Sequence, residues 1–327
     1  MNRKVWLGVA VSALLLWLSL RDVDLRQAWI YTQSVNGAYV VPSVALVIVE
    51  ALLRALKWQI LLLPLKRSSF LKLNSATMIG LMANNVLPAR AGEFVRAYAG
   101  ARLAEIPYST SLATVVIDRV LDGLTVSALF IVVILRQPLP DIVSGAGYVA
   151  AGIYIVTLVL LVGLLVREST TVALATRVLG PLPSRVKAPA LRVLQTFVAG
   201  LGVFRSAPLL LAAAMISFGL WITYALGIYF MFLMFGMSLS MFQSFVVLLV
   251  LTIALTLPSS PGFVGAMEWG FSVSLTQIFG VDNSQAFALA LLYHVLQYIP
   301  VTAGGVIAVW VERLSMSEIA HAAPGKS

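Results

Sequence analysis

Asn84-Asn85-Val86-Leu87-Pro88-Ala89-Arg90-Ala91-Gly92-Glu93-Phe94-Val95-Arg96-Ala97-Tyr98 sets two arginines, a glutamate, two asparagines, a proline and a glycine in the middle of an apolar stretch. An ionised side chain at the centre of a bilayer costs about 2.5–3.5 kcal/mol or more, so it persists only beside a cavity or a partner. Proline and glycine at the same place interrupt the helix and free backbone groups, which is tolerated only within protein or next to water. A broken, charged turn inside a helical bundle reads as a site.

Composition fixes the surroundings of that stretch. Of 327 residues, 60% are hydrophobic and 11% charged, and the mean hydropathy is +0.97; a soluble domain of this size could not bury so much apolar surface. Cysteine is absent, which excludes disulfides and thiolate chemistry. With only two histidines, no metal centre is expected, and no cofactor. The net charge of +9 implies no nucleic acid, because the basic residues flank apolar segments, where they set orientation and meet anionic headgroups. The N-terminus has the charge and apolar run of a signal peptide, but residues 18–22 lack a small-x-small cleavage pattern, so a retained first helix is expected.

The hydropathy pattern predicts an all-α integral membrane protein forming a single membrane domain. Six segments are long enough to span, at 3–20, 38–63, 110–135, 147–166, 207–235 and 284–312. Two further stretches, 74–104 and 241–279, are broken near their middles by Pro88 and Gly92, and by Pro258, Pro261, Gly262 and Gly265. Each half is too short for a bilayer core of roughly 30 Å, so both are expected to be re-entrant helical hairpins hinged at these residues. With the N-terminus in the cytoplasm, thirteen lysines and arginines fall on the inner side and three on the outer (Arg21, Arg26 and Arg136), a strong orientation bias that also puts the C-terminus inside. The order span, span, hairpin, span then occurs twice, at 3–135 and 147–312, and three spans per half force the copies into opposite topologies. Pro88 with Gly92 matches Pro261 with Gly265 in spacing. Inverted repeats with broken helices in corresponding positions point to a transporter. The connector, 167–206, contains an amphipathic stretch at 184–201 suited to the cytoplasmic interface.

The polar residues fall into groups. In the first hairpin, Arg90 and Arg96 suit a phosphate, at the start of a half-helix opened by Gly92 and Glu93; Asn84 and Asn85 join them as candidate binding residues, and Glu93 could equally latch the arginines. In the third span, Asp118 and Asp122 share a face, with Arg119 beside them; an ion-paired rivet and a coupling site both fit. Glu268 in the second hairpin needs a partner, for which Arg119 is expected. His294 and Tyr298 share a face of the last span; a hydrogen-bonded structural histidine and a proton relay both fit. In the second span, Glu50 precedes Arg54 as a local pair, Lys57 is expected to snorkel to the cytoplasm, and Arg54 is a candidate headgroup contact.

These motifs, Asn84-Asn85 with Pro88-Ala-Arg-Ala-Gly-Glu93 and Arg96, Asp118-Arg119 with Asp122, and Pro258-x-x-Pro261-Gly262 with Glu268, resemble the lysylphosphatidylglycerol synthase transmembrane (flippase-like) family. That is the membrane domain of the multiple peptide resistance factor. The resemblance covers nearly the whole chain and implies a lipid translocase of the bacterial cytoplasmic membrane, with a membrane lipid as substrate and enzymes of lipid biosynthesis as candidate partners. The lysyl-transferring members carry a large soluble C-terminal domain, whereas this sequence stops about fifteen residues past Glu312, so synthase activity is not expected. Two alternatives stay open: an intramembrane transferase acting on a lipid phosphate, for which Asp118 and Asp122 would hold Mg²⁺, and a non-transporting partner of a lipid-synthesis complex.

Overall fold

The computed structural model describes residues 3–87, 91–180, 183–257, 259–315 and 318–319. Among them every regular element is helical. The order is α1 (Arg3–Leu20), α2 (Leu25–Gln33), α3 (Val40–Leu62), α4 (Phe70–Val86), α5 (Gly92–Ala104), α6 (Tyr108–Ile134), α7 (Asp141–Val166), α8 (Glu168–Val178), α9 (Ser184–Gly200), α10 (Ala207–Met234), α11 (Met241–Ala254), α12 (Ala266–Ser272) and α13 (Asn283–Val311). Short side chains set several boundaries. Asp24 accepts from the Arg26 and Gln27 amides to start α2, Ser240 and Gln243 form a capping box on α11, and Asp282 accepts from the Ser284 and Gln285 amides at α13.

Among the described residues four helices are long and apolar enough to cross a membrane: Gly37–Leu62, which includes the one-turn entry to α3, Val143–Val166, Ala207–Met234 and Asn283–Val311. The other two expected spans exist as helices but fall short of that description. The apolar part of α1 is Gly8–Leu20, and α6 has 27 residues but carries Asp118, Arg119 and Asp122 in its middle. Tyr148, Val149, Ile153, Val156, Val159 and Leu160 are all exposed on α7, a face that only lipid would cover. The chain is a membrane protein.

Both interrupted stretches break where expected. Helix α4 ends at Val86 and α5 begins at Gly92; Pro88 and Arg90 lie outside the described residues. The partners fold back on one another, with Gly80 of α4 against Gly92 and Arg96 of α5. The Asn84 side chain closes the turn by accepting from the Gly92 amide at 2.9 Å. In the second stretch α11 stops at Ala254; after a 3₁₀ turn at Pro261–Phe263, α12 starts at Ala266 and runs on as a π-turn, Val273–Ile278. Pro258 lies outside the described residues. Gly262 and Gly265 take φ of 73° and 85°, and Gly265 lies directly against the Ser12 backbone of α1. Only glycine meets both demands at position 265.

Two cores result. One joins α3, α4, α5 and α6 around Trp58, Leu61, Leu73, Ile79, Val95 and Ile117. The other joins α10, α11, α12 and α13 around Ile228, Phe232, Phe271 and Leu289. They meet where α3 packs on α10 and α4 on α13. The connector contains two helices rather than one. Of these, α9 docks on α6, with Gly200 against Thr110 and Ala113.

The glycine contact inside the first hairpin gives a stability test. A Cβ on Gly92 would collide with the Gly80 carbonyl and the Asn84 side chain, whereas one on Gly152 of α7 meets nothing within 4 Å. Gly92→Val should destabilise the purified protein by about 1–3 kcal/mol, the usual cost of overpacking. Thermal unfolding in detergent should show a lowered midpoint for Gly92→Val and none for Gly152→Ala.

Candidate functional site

Charges on three helices, α3, α5 and α6, converge in the first core beside polar groups of α10. Glu50, Arg54 and Lys57 follow one face of α3, at spacings of four and three, and that face turns into protein. Lys57 is fully buried. Its Nζ lies 2.8 Å from Asp118 Oδ1, contacts Asp122 Oδ1, and stands 3.5 Å from Ser217 Oγ of α10. The Ser217 hydroxyl in turn donates to Asp122 Oδ1 at 2.6 Å. An unpaired ion at this depth would cost several kcal/mol, so an ammonium between two carboxylates is the arrangement that keeps all three charged.

Three guanidinium groups surround this pair of aspartates. Arg96 Nη1 donates to Asp118 Oδ2 at 2.6 Å, and its guanidinium stacks 4.4 Å from the centre of the Trp58 ring. Trp58 is fixed by its own donation to Thr114 Oγ1 at 2.9 Å. Arg119 reaches Glu93 Oε1 at 3.3 Å, Asp118 Oδ2 at 3.5 Å and Asp122 Oδ2 at 3.6 Å. Arg54 donates to the Tyr224 hydroxyl at 2.9 Å and approaches Asp122 Oδ2 at 3.6 Å. Among the described residues the ion-pair network thus holds four cations (Arg54, Lys57, Arg96, Arg119) against three carboxylates (Glu93, Asp118, Asp122). It opens at one end, where Arg119 is 35% and Glu93 28% exposed while Asp118 is fully buried. Arg96 Nε and Nη2, Arg119 Nε and Arg54 Nη1 donate no hydrogen bond within the described chain. A planar fork with unspent donors is suited to an anion such as phosphate.

A second polar centre lies in the other core. His294 Nδ1 is 2.6 Å from Glu268 Oε1, and His294 Nε2 is 2.7 Å from the Gly262 carbonyl. Glu268 Oε2 accepts from the Gly265 amide at 2.6 Å. Tyr298, one turn after His294, packs its ring against the imidazole and directs its hydroxyl to the Asn85 carbonyl at 3.5 Å. Asn85 also donates to Thr302 of α13 at 3.0 Å. The turns of the two hairpins therefore touch through Asn85, Gly262 and Tyr298.

Several expectations need correction. Glu268 pairs with His294, not Arg119, because α12 packs on α13 and α11 while Arg119 faces the α5 side of α6. The charged residues accordingly form two centres rather than one pocket. Lys57 does not snorkel: it points sideways between α6 and α10. Arg54 makes its close contacts with Tyr224 and Asp122, and its charge also acts on Glu50, whose carboxyl meets Gln297. Asn84 and Asn85 tie down the turn and α13, and Gly92, Pro261, Gly262 and Gly265 occupy the breaks as expected. Arg96, Arg119, Asp118, Asp122, Glu93 and Arg54 do come together. Lys57, Ser217, Trp58 and Tyr224 were missed as members. The signal for Lys57 was present, since three charges on one face of an apolar helix require a protein-facing side; Ser217 and Tyr224 carry none.

Residues 5–305 match the model of the family described as the lysylphosphatidylglycerol synthase TM region. Glycosyltransferase AglD of Haloferax volcanii is 26% identical over 331 residues, which cover 91% of this chain and 53% of that protein. This chain thus spans about half the length of AglD. The UPF0104 membrane protein MJ1078 of Methanocaldococcus jannaschii is 25% identical over 244 residues, 73% of this chain and 97% of that protein. No solved structure matches the chain.

Removing the ammonium takes from Asp118 and Asp122 the nearer of their two shared cations and leaves them Arg119. Lys57→Met should lower stability by about 3–5 kcal/mol, as breaking a buried pair does. Lys57→Met combined with Asp122→Asn should recover part of that loss in equilibrium unfolding in detergent, because the oxygen facing the vacated ammonium position then belongs to a neutral amide.

Proposed function

The chain belongs to the lysylphosphatidylglycerol synthase transmembrane family, and on that premise we propose that it is a lipid translocase. It moves an anionic, phosphate-bearing lipid between the leaflets of the bacterial cytoplasmic membrane and is a transporter rather than an enzyme. One observation carries the reading: a network of four cations and three carboxylates sits at membrane depth, open at Arg119 and Glu93, with unspent guanidinium donors. A lipid phosphate entering there shares the arginines with Glu93, Asp118 and Asp122. As a monoanion it brings the anions to four beside four cations, so the carboxylates keep their partners in a low dielectric. The acyl chains stay in the bilayer.

In this reading six helices span and two hairpins re-enter. Helices α4, α5 and α11 have 17, 13 and 14 residues, or about 25, 20 and 21 Å, short of the roughly 30 Å of a bilayer core. The halves 3–135 and 147–312 are inverted repeats. The packing is consistent with this: α3 meets α10, α6 packs on α10 as α13 does on α3, and α11 packs on α6 as α4 does on α13. In both halves the second hairpin helix bonds the following long helix at 2.6 Å, through Arg96–Asp118 and Glu268–His294. Rocking of one repeat against the other, hinged at the breaks, then presents the arginines to either leaflet. Asp118, Asp122, Glu268, His294 and Tyr298 balance or couple this movement.

A second reading has one observation in its favour, the likeness to a protein named a glycosyltransferase. On it, the chain is the membrane unit of a transferase acting on a lipid phosphate, or a partner of enzymes of lipid synthesis. Product formation by purified protein, with divalent-metal dependence, would establish it. Against it, Asp118 and Asp122 are committed to Lys57, Arg96 and Arg119.

Two experiments test the translocase. Proteoliposomes holding fluorescent phosphatidylglycerol should scramble it, and Arg96→Ala or Arg119→Ala should slow this by about tenfold to a hundredfold, the worth of one charge-assisted hydrogen bond of about 1.5–3 kcal/mol. Unchanged scrambling in both variants sinks the idea. Because the chain has no cysteine, single cysteines report topology directly. Lys187→Cys should label only from the cytoplasm and Arg136→Cys only from outside.

A further inference from the structure

We propose that Glu268 and His294 form a proton-binding site, loaded in this conformation, whose proton holds the turn of the second hairpin against the first. Hydrogen-bond stoichiometry carries the inference. The Gly262 carbonyl has no hydrogen to give, so His294 Nε2 must carry the proton of their 2.7 Å bond. The 2.6 Å contact between His294 Nδ1 and Glu268 Oε1 also needs a proton. It resides on the imidazole or on the carboxyl; in both cases the pair holds one proton more than neutral imidazole plus carboxylate. Glu268 Oε2 is already an acceptor, from the Gly265 amide.

Loss of that proton breaks one of these bonds. If Nε2 keeps its hydrogen, lone pairs on Nδ1 and Oε1 face each other at 2.6 Å. If the hydrogen moves to Nδ1, a lone pair on Nε2 faces the Gly262 carbonyl. Both groups hold the segment Gly262–Gly265, in which Gly262, Phe263 and Gly265 have φ of 73°, 63° and 85°. Phe263 in the left-handed region costs about 1–2 kcal/mol, so the turn stores strain that these bonds restrain. The same turn meets Asn85 and Tyr298, which makes its release a release of the contact between hairpins. His294 lies eleven residues into α13, roughly 17 Å from its start, and both partners are buried.

Among the described residues few other charges can compensate. On α13 the titratable neighbours of His294 are Tyr293 and Tyr298; α12 contributes only Glu268, and α11 and the π-turn none. Helix α1 touches the turn at Ser12, whose hydroxyl accepts from the Ser260 amide, with Arg3 and Lys4 two turns and more away along the helix. Lys72 is at the far end of α4 from Asn85, and α2 offers Arg26 and Tyr31 at the outer end of α13. From α3, Glu50 meets Gln297, while Arg54 and Lys57 serve the first centre; Tyr224 of α10 is bound to Arg54. Coupling of this proton to lipid movement rests on the translocase reading; the proton site itself does not.

The chain has two histidines, so selective ¹⁵N-histidine NMR of the full protein in nanodiscs, with His321→Asn to assign the signals, reads His294 directly. The expected result is one proton-loss step with rising pH that disappears in Glu268→Gln, whose amide supplies a fixed hydrogen to Nδ1. Maleimide labelling of Val264→Cys should accelerate several-fold across the same step and become independent of pH once Glu268→Gln is added. A His294 titration identical with and without Glu268→Gln overturns the site, as does a labelling rate that rises equally in both. Should Glu268→Gln fail to fold, His294→Gln must also abolish the pH response of labelling. Lipid scrambling measured in parallel separates the claims: linked titration and labelling without scrambling supports the proton site and defeats the translocase, and scrambling with no linked titration does the reverse.

Discussion

A lysine that cannot reach water dominates this molecule. Lys57 lies wholly inside the first core, and the low dielectric there makes its neutralisation compulsory. Two aspartates on α6 answer it, and their remaining oxygens draw in arginines from α3, α5 and α6 itself. Three helices are thereby fixed in rotation and depth, and Ser217 ties α10 to them through Asp122. The broken geometry of the first hairpin follows, since α5 has to begin at Gly92 for Arg96 to arrive beside Asp118. Electrostatics of this kind is directional, whereas apolar packing against lipid tails gives little preference among rotations.

The two hairpins solve one backbone problem in different ways. At the first, an asparagine side chain takes the first free amide of α5 and small residues let the two helices close tightly. At the second, positive-φ residues turn the chain, and Glu268 and His294 bond the groups that the turn frees. Backbone polar groups exposed at membrane depth must be satisfied by protein, so neither break could survive without these side chains. That the breaks also touch each other, through Asn85, Gly262 and Tyr298, gives the two halves a joint made of adjustable polar contacts. Such a joint can have two arrangements, which the proposed translocation would use.

The pairing of Glu268 shows where sequence reasoning stops. A carboxylate at depth demands a partner, and the nearest charge of opposite sign in the other half was the natural candidate. The actual partner, His294, is 26 residues away on the adjacent helix. A neutral residue can satisfy a carboxylate through a shared proton, and charge counting does not see that. Lys57 failed for a related reason: its distance from the helix end suggested an escape to the interface, but escape depends on which side of α3 is covered.

Segmentation was legible from residue order alone. The helices at 3–20, 110–135 and 207–235, and the breaks near Gly92 and Pro261, agree with the structure because helix continuity is a local matter of backbone hydrogen bonds and side-chain polarity. The convergence of Arg96, Arg119, Asp118 and Asp122 was legible as well, since charge in an apolar helix has few places to go. Tertiary structure alone decided which charge meets which. Partner choice depends on the rotation and depth of each helix relative to its neighbours, quantities set by packing between segments far apart in the chain, so that nothing in the order of residues could join Lys57 to Ser217 or the Gly262 carbonyl to His294.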